Sequence, residues 1–203
     1  MIHAIQKIFS PSTMNKALAQ FGNVSVQHFL LFSMVGVMVV LLVTLIRRRM
    51  HRKVLLSDVL TGMVVAVYGS IILQLTLICR ESGSRIGIEL NVLHGLQGPD
   101  NDFHWLMMAY VVLNCLLFVP YGFILSLFSF VNRRKKGIQF LLAFLMSFAT
   151  SLFIETAQLM TERGFYEMQD LVANTLGGVL GWGMFTIILG LGKMLLQKEE
   201  ESW

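Results

Sequence analysis

The chain has 203 residues, of which 55% are hydrophobic and 14% charged, and its mean hydropathy is +0.68. Those values exclude an ordinary soluble globular domain and point to an integral membrane protein. The net charge of +4 does not indicate a nucleic-acid binder, because nine of the sixteen Lys and Arg residues sit in two short clusters, Arg47 to Lys53 and Arg133 to Lys136, and no basic face results.

Five apolar stretches are each long enough to cross ~30 Å of hydrocarbon at about 1.5 Å per helical residue. They run from Phe29 to Ile46, Val59 to Cys79, Trp105 to Val131, Ile138 to Met160 and Leu171 to Leu196. No alternating barrel pattern is present, so the expected fold is all-α: one polytopic membrane domain over residues 1–203 with about five transmembrane helices. Each basic cluster directly follows a span. By the positive-inside rule both loops are cytoplasmic, which places the N-terminus outside and the C-terminus inside.

Residues 1–27 are then external or interfacial. Ile2, Ile5, Ile8 and Phe9 recur at roughly helical spacing before Ser10 and Pro11, as in a short interfacial helix. The strong basic cluster follows the first apolar run, an order that argues against a cleaved signal peptide. Ser57 and Asp58 are expected to cap the second span. Gln74 inside that span either bonds a neighbouring helix or turns toward a polar site.

The segment from Arg80 to His104 is an external loop, with alternating Ile86, Ile88, Leu90 and Val92 suggesting a short strand between Arg85 and Leu93. His94, His104, Asp100 and Asp102 follow no metal-ligand spacing, and no metal or other cofactor is expected. Cys79 and Cys115 read as small apolar fillers rather than a disulfide.

The third span holds Asn114, Pro120, Tyr121 and Gly122. Pro120 has no N–H for the Leu116 carbonyl, so the helix should kink or loosen there, either lining a polar cavity or as a packing feature. In the fourth span Ser147, Ser151, Glu155, Gln158 and Glu162 are spaced by four, four, three and four residues, a single polar stripe. Glu155 lies roughly 8 Å below the outer end at 1.5 Å per residue. Three fates are open to it: pairing with Arg163, facing water, or taking up a proton in apolar surroundings.

Asp170 is an N-cap or first-turn carboxylate of the last helix, with Asn174 and Gly178 on the same face. Gly177 and Gly181 form a GxxxG that permits close approach to the third or fourth helix. A homodimer through these glycine faces is also open.

Asn114 with Leu117-Phe118-Val119-Pro120-x-Gly122, Glu155 with Gln158, Arg163, and Asp170-x-x-x-Asn174-x-x-Gly177 followed by Gly181 together resemble the VanZ-like family. The resemblance spans about Asn114 to Gly181, within a three-helix core over residues 105–196. Two positions depart from the family pattern: Tyr121 stands where leucine is usual, and Glu167 fills the first acidic position of the external loop. The resemblance implies a bacterial cell-membrane protein that lowers susceptibility to teicoplanin-type lipoglycopeptides.

The candidate ligand-binding set is Asn114, Glu155, Gln158, Arg163, Asp170 and Asn174, facing a membrane lipid, a lipid-linked cell-wall precursor or the drug itself. Arg163 would take a phosphate or carboxylate, and Gln158 and Asn174 would orient a polar headgroup. The structural counterpart is an ion-pair network of Glu155, Arg163 and Asp170 tying the last two helices together. An enzyme using Glu155 and Asp170 as acid and base is a separate reading, although no nucleophile motif or phosphate loop accompanies them. A flippase or small transporter, suggested by the Pro120 break, is the third.

Overall fold

The computed structural model describes residues 2–19, 24–80, 83, 87–93, 97 and 99–200. Among them are two short N-terminal helices, α1 (Ile2–Ile8) and α2 (Pro11–Ala19), and the long helices α3 (Val26–Arg49) and α4 (Leu56–Leu73). Then follow a π-turn (Gln74–Ile78), strand β1 (Ile88–Glu89), α5 (Asp102–Ser126), α6 (Ser129–Asn132), α7 (Lys136–Met160), β2 (Tyr166–Glu167) and α8 (Met168–Glu200). Five of these segments are long and apolar enough to cross a membrane. Their outward faces suit hydrocarbon: Met34, Met38 and Leu45 of α3 are 63%, 65% and 63% exposed, and α3 buries only Ser33.

The helices alternate in direction. Ser33 meets Ser70 (2.7 Å) between α3 and α4, and Tyr121 meets Thr150 (2.7 Å) between α5 and α7. α5 and α8 run parallel, since Gly177 packs on Cys115 and Gly181 on Val119. A core of Ile72, Phe118, Tyr121, Leu125 and Ile154 joins α4, α5 and α7. At one end of the bundle Ile8 and Ala17 of α1 and α2 pack on Trp105 and Ala109 of α5, and Lys16 pairs with Asp102 at 3.6 Å. The two basic clusters lie at the opposite end.

Several expectations need correction. The third apolar stretch is not one helix: α5 stops at Ser126, and α6 begins afresh after Phe128. The cause is Asp58, whose carboxylate accepts from Ser129 N (2.7 Å) and Ser129 Oγ (2.5 Å), satisfying the start of α6. Asp58 therefore does not cap its own helix; Leu55 occupies that position without a side-chain bond. Glu162 leaves the polar stripe because α7 ends at Met160, and Glu162 sits exposed in the turn with φ 57°.

Helix α5 runs unbroken through Pro120. One turn before the proline the Tyr68 hydroxyl donates to the Leu117 carbonyl (2.7 Å), which ties α4 to α5. The Gln74 amide likewise packs helices, donating from Nε2 to the Ser25 carbonyl at 3.2 Å. The expected strand is reduced to Ile88–Glu89, paired in parallel with Tyr166–Glu167; Arg85 and Ile86 lie outside the described residues.

Candidate functional site

The polar stripe of α7 meets the small and polar face of α8 as a set of antiparallel rungs. Both stripes repeat every four residues, so a contact at one turn recurs at the next. Gly178 lies against the Ser147 side chain so closely that a β-carbon on it would collide with Oγ. One turn toward the π-turn end, Asn174 Nδ2 donates to Ser151 Oγ at 2.9 Å. One turn further, Asp170 stands close enough to Glu155 for the two carboxylates to act on each other through space. Ser147, Ser151, Glu155 and Gln158 are all at most 1% exposed, so the α7 side of this seam is buried between the helices, whereas Asp170 at its end is partly exposed.

Glycines make the seam possible. Gly177 and Gly181 let α8 touch the backbone of α5 at Cys115 and Val119, and Gly122 touches the Gly178 carbonyl in return. The glycine face thus joins α8 to α5, while Gly178 lets α7 approach at the same level.

At its upper end the seam widens into a cluster drawn from four segments. Glu155 Oε2 accepts from the backbone N–H of Glu167 at 2.9 Å, which ties α7 to β2. Asn114 of α5 donates to the Asp170 carboxylate. Arg80, just past the π-turn, is near enough to act on both Glu155 and Asp170, and its guanidinium lies 2.8 Å from where a β-carbon on Gly164 would be. Glu167 adds a third carboxylate facing Asp170.

The π-turn supplies the remaining wall. A wide turn leaves carbonyls that its own helix cannot satisfy, and the end of α7 takes them up. Gln158 Nε2 donates to Thr76 O (3.0 Å). Arg163 Nη1 donates to Leu77 O (3.1 Å), Ile78 O (3.2 Å) and Arg80 O (3.2 Å). Arg163 therefore clamps backbone, and among the described residues it forms no ion pair with Glu155 or Asp170. Arg80 is the cation facing the carboxylates instead.

Three seam atoms are buried without a hydrogen-bond partner among the described residues: Ser147 Oγ, Gln158 Oε1 and Asn174 Oδ1. Such atoms are costly when left alone, and they suit a ligand or water that donates hydrogen bonds. No three His, Cys, Asp or Glu side chains among the described residues come together as a metal site. Asp100 accepts from Trp105 Nε1 (2.6 Å) and Asp102 pairs with Lys16, while His94 lies outside the described residues. Cys79 and Cys115 form no disulfide.

The structure gathers Asn114, Glu155, Gln158, Asp170 and Asn174 along one seam, with Arg163 behind it. Sequence reading did not single out Thr76 or Arg80, because the π-turn that presents them leaves no periodic signal. Glu167 was visible as an acidic position in the loop, but its backbone bond to Glu155 was not.

Five apolar spans, with a polar seam buried between the last two, define a multi-pass helical membrane protein. The sequence model of the VanZ/LLP1 family matches residues 60–189, nearly two thirds of the chain, and the protein belongs to that family. The match reaches upstream of Asn114 to take in most of α4, the π-turn and Arg80. No curated protein and no solved structure matches the chain.

Proposed function

We propose that this protein lies in the bacterial cytoplasmic membrane with the α7–α8 turn facing outward, and that it lowers susceptibility to teicoplanin-type lipoglycopeptides. Its N-terminus is external and its C-terminus cytoplasmic. The polar site at the head of the α7–α8 seam engages a lipid-linked envelope component or the drug.

The observation that carries this reading is the buried seam itself: Glu155, Asp170 and Asn174 joined rung by rung to Asn114 and Ser151, with acceptor atoms at Gln158 and Asn174 left open. Polar groups are expensive within a membrane helix and are retained where they serve a ligand or a pathway. The site stands at the end of the bundle away from Arg47 to Lys53 and Arg133 to Lys136, which supports an external position. Arg163 is occupied by three carbonyls, so recognition falls to the carboxylates, the open amide oxygens and Arg80. That acceptor-rich lining suits the hydroxyl and amine donors of a sugar or peptide headgroup.

Glu155→Gln and Asp170→Asn test the reading in a teicoplanin-sensitive host, with each variant shown to reach the membrane in parental amount. Both variants should protect less than the parent. Parental protection by both would remove the carboxylates from the function. Mass analysis of envelope lipids then separates binder from enzyme: an unchanged headgroup profile is expected, and a new or missing headgroup would identify a catalyst.

A further inference from the structure

The opposite end of the bundle holds a second feature, unconnected with the seam. Between α3, α4 and α6 lies a cavity of about 230 Å³. Its walls are mostly apolar, with Val39, Val43, Val59 and Phe130 among them, and Arg47 lines it too. From Arg47 to Val39 the groove follows α3 for eight residues, about 12 Å at 1.5 Å per residue.

Asp58 also lines this cavity, with its carboxylate turned to Ser129 and not paired with Arg47. Both of its oxygens are engaged by Ser129, at 2.7 and 2.5 Å, and no ion pair involving Arg47 occurs among the described residues. The turn beyond Arg47 adds Arg48, Arg49, Arg52 and Lys53, all exposed. An apolar slot as long as part of an acyl chain therefore has Arg47 among its lining residues, with further positive charge next to it in the chain.

We propose that this groove is a binding site for an anionic phospholipid of the surrounding leaflet. One acyl chain lies between α3 and α4, and the phosphate rests on Arg47. Charge complementarity selects the headgroup, since a basic pocket between transmembrane helices favours an anionic lipid over a zwitterionic one. The groove fixes the position, because the chain must enter beside Val43 for the phosphate to reach Arg47. The lipid would hold α3 to the bundle, where its packing partner is chiefly α4.

The test uses the full chain in nanodiscs made from equal amounts of phosphatidylglycerol and phosphatidylcholine, with retained lipid counted by native mass spectrometry after release into mild detergent. The parent should retain phosphatidylglycerol in preference. Arg47→Gln should reduce that preference about fivefold, the effect of one charge near an anionic surface, and Arg47→Lys should restore most of it. Val43→Trp, which fills the groove from a position 48% exposed and so spares the core, should reduce retained phosphatidylglycerol. Arg52→Gln, outside the groove, should change the preference less than Arg47→Gln. Equal retention of both lipids by the parent would overturn the proposal. So would equal losses in Arg47→Gln and Arg52→Gln, which would mean diffuse surface attraction only, or an unaltered lipid count in Val43→Trp.

Discussion

Replacing Gly181 by alanine tests the packing that creates the seam. A β-carbon at Gly181 would run into the Val119 carbonyl oxygen, with Phe123 N at 2.6 Å and the Val119 carbonyl carbon at 3.0 Å. The obstacles are backbone atoms in the middle of α5, so no side chain can swing aside and the two helices must part. Overpacking of this kind costs about 1–3 kcal/mol, and a backbone obstacle puts it at the upper end. Alanine returns up to about 1 kcal/mol of helix propensity over glycine, which leaves Gly181→Ala less stable by roughly 2 kcal/mol.

Gly183 lies two residues further along the same helix with nothing within 4 Å of an added β-carbon. Gly183→Ala should therefore be neutral or slightly stabilising. Unfolding of each purified variant in mild detergent, followed by helical circular dichroism, compares them directly. Equal stability of the two variants would refute the close parallel contact of α8 with α5.

Arg163→Leu should destabilise the protein by about 3 kcal/mol, since it leaves the carbonyls of Leu77, Ile78 and Arg80 without their donor; the same unfolding assay measures it. Arg163→Lys should recover part of that loss, because all three carbonyls are met from the one nitrogen Nη1 and an ammonium can also donate from one nitrogen, though on a shorter side chain. A double-mutant cycle of Asn174→Ala and Ser151→Ala should return a coupling of about 1 kcal/mol, the range of a hydrogen bond between membrane helices. The same cycle between Asn174 and Thr156, an exposed residue bonded within its own helix, should return none.

Much of this architecture is legible in local patterns. The four-residue spacing of Ser147, Ser151 and Glu155 marks one face of α7, and the same spacing of Asp170, Asn174 and Gly178 marks one face of α8. What the spacing does not state is which rung meets which, because that depends on the length of the turn between the helices. Arg163 shows the limit most clearly. As a charge between two carboxylates it reads as an ion-pair partner, whereas its actual partners are carbonyls freed by a π-turn more than eighty residues earlier. Asp58 fails for the same reason. Beside Ser57 it reads as a local cap, and it caps a helix 71 residues away instead. In both cases the local pattern is satisfied by the residue type, while the folded chain supplies a better acceptor or donor from a distance.

Cysteine labelling in intact cells reports whether the head of the seam faces outward, as proposed. Cys79 and Cys115 are first replaced by serine and alanine, and protection is shown to persist. A single cysteine is then placed at exposed Glu162, in the turn beside the site, or at exposed Lys135 in the second basic cluster. An impermeant thiol reagent should label the cysteine at position 162 from outside and position 135 only after the cells are opened. Labelling of position 135 in intact cells, with position 162 protected, would contradict the outward placement.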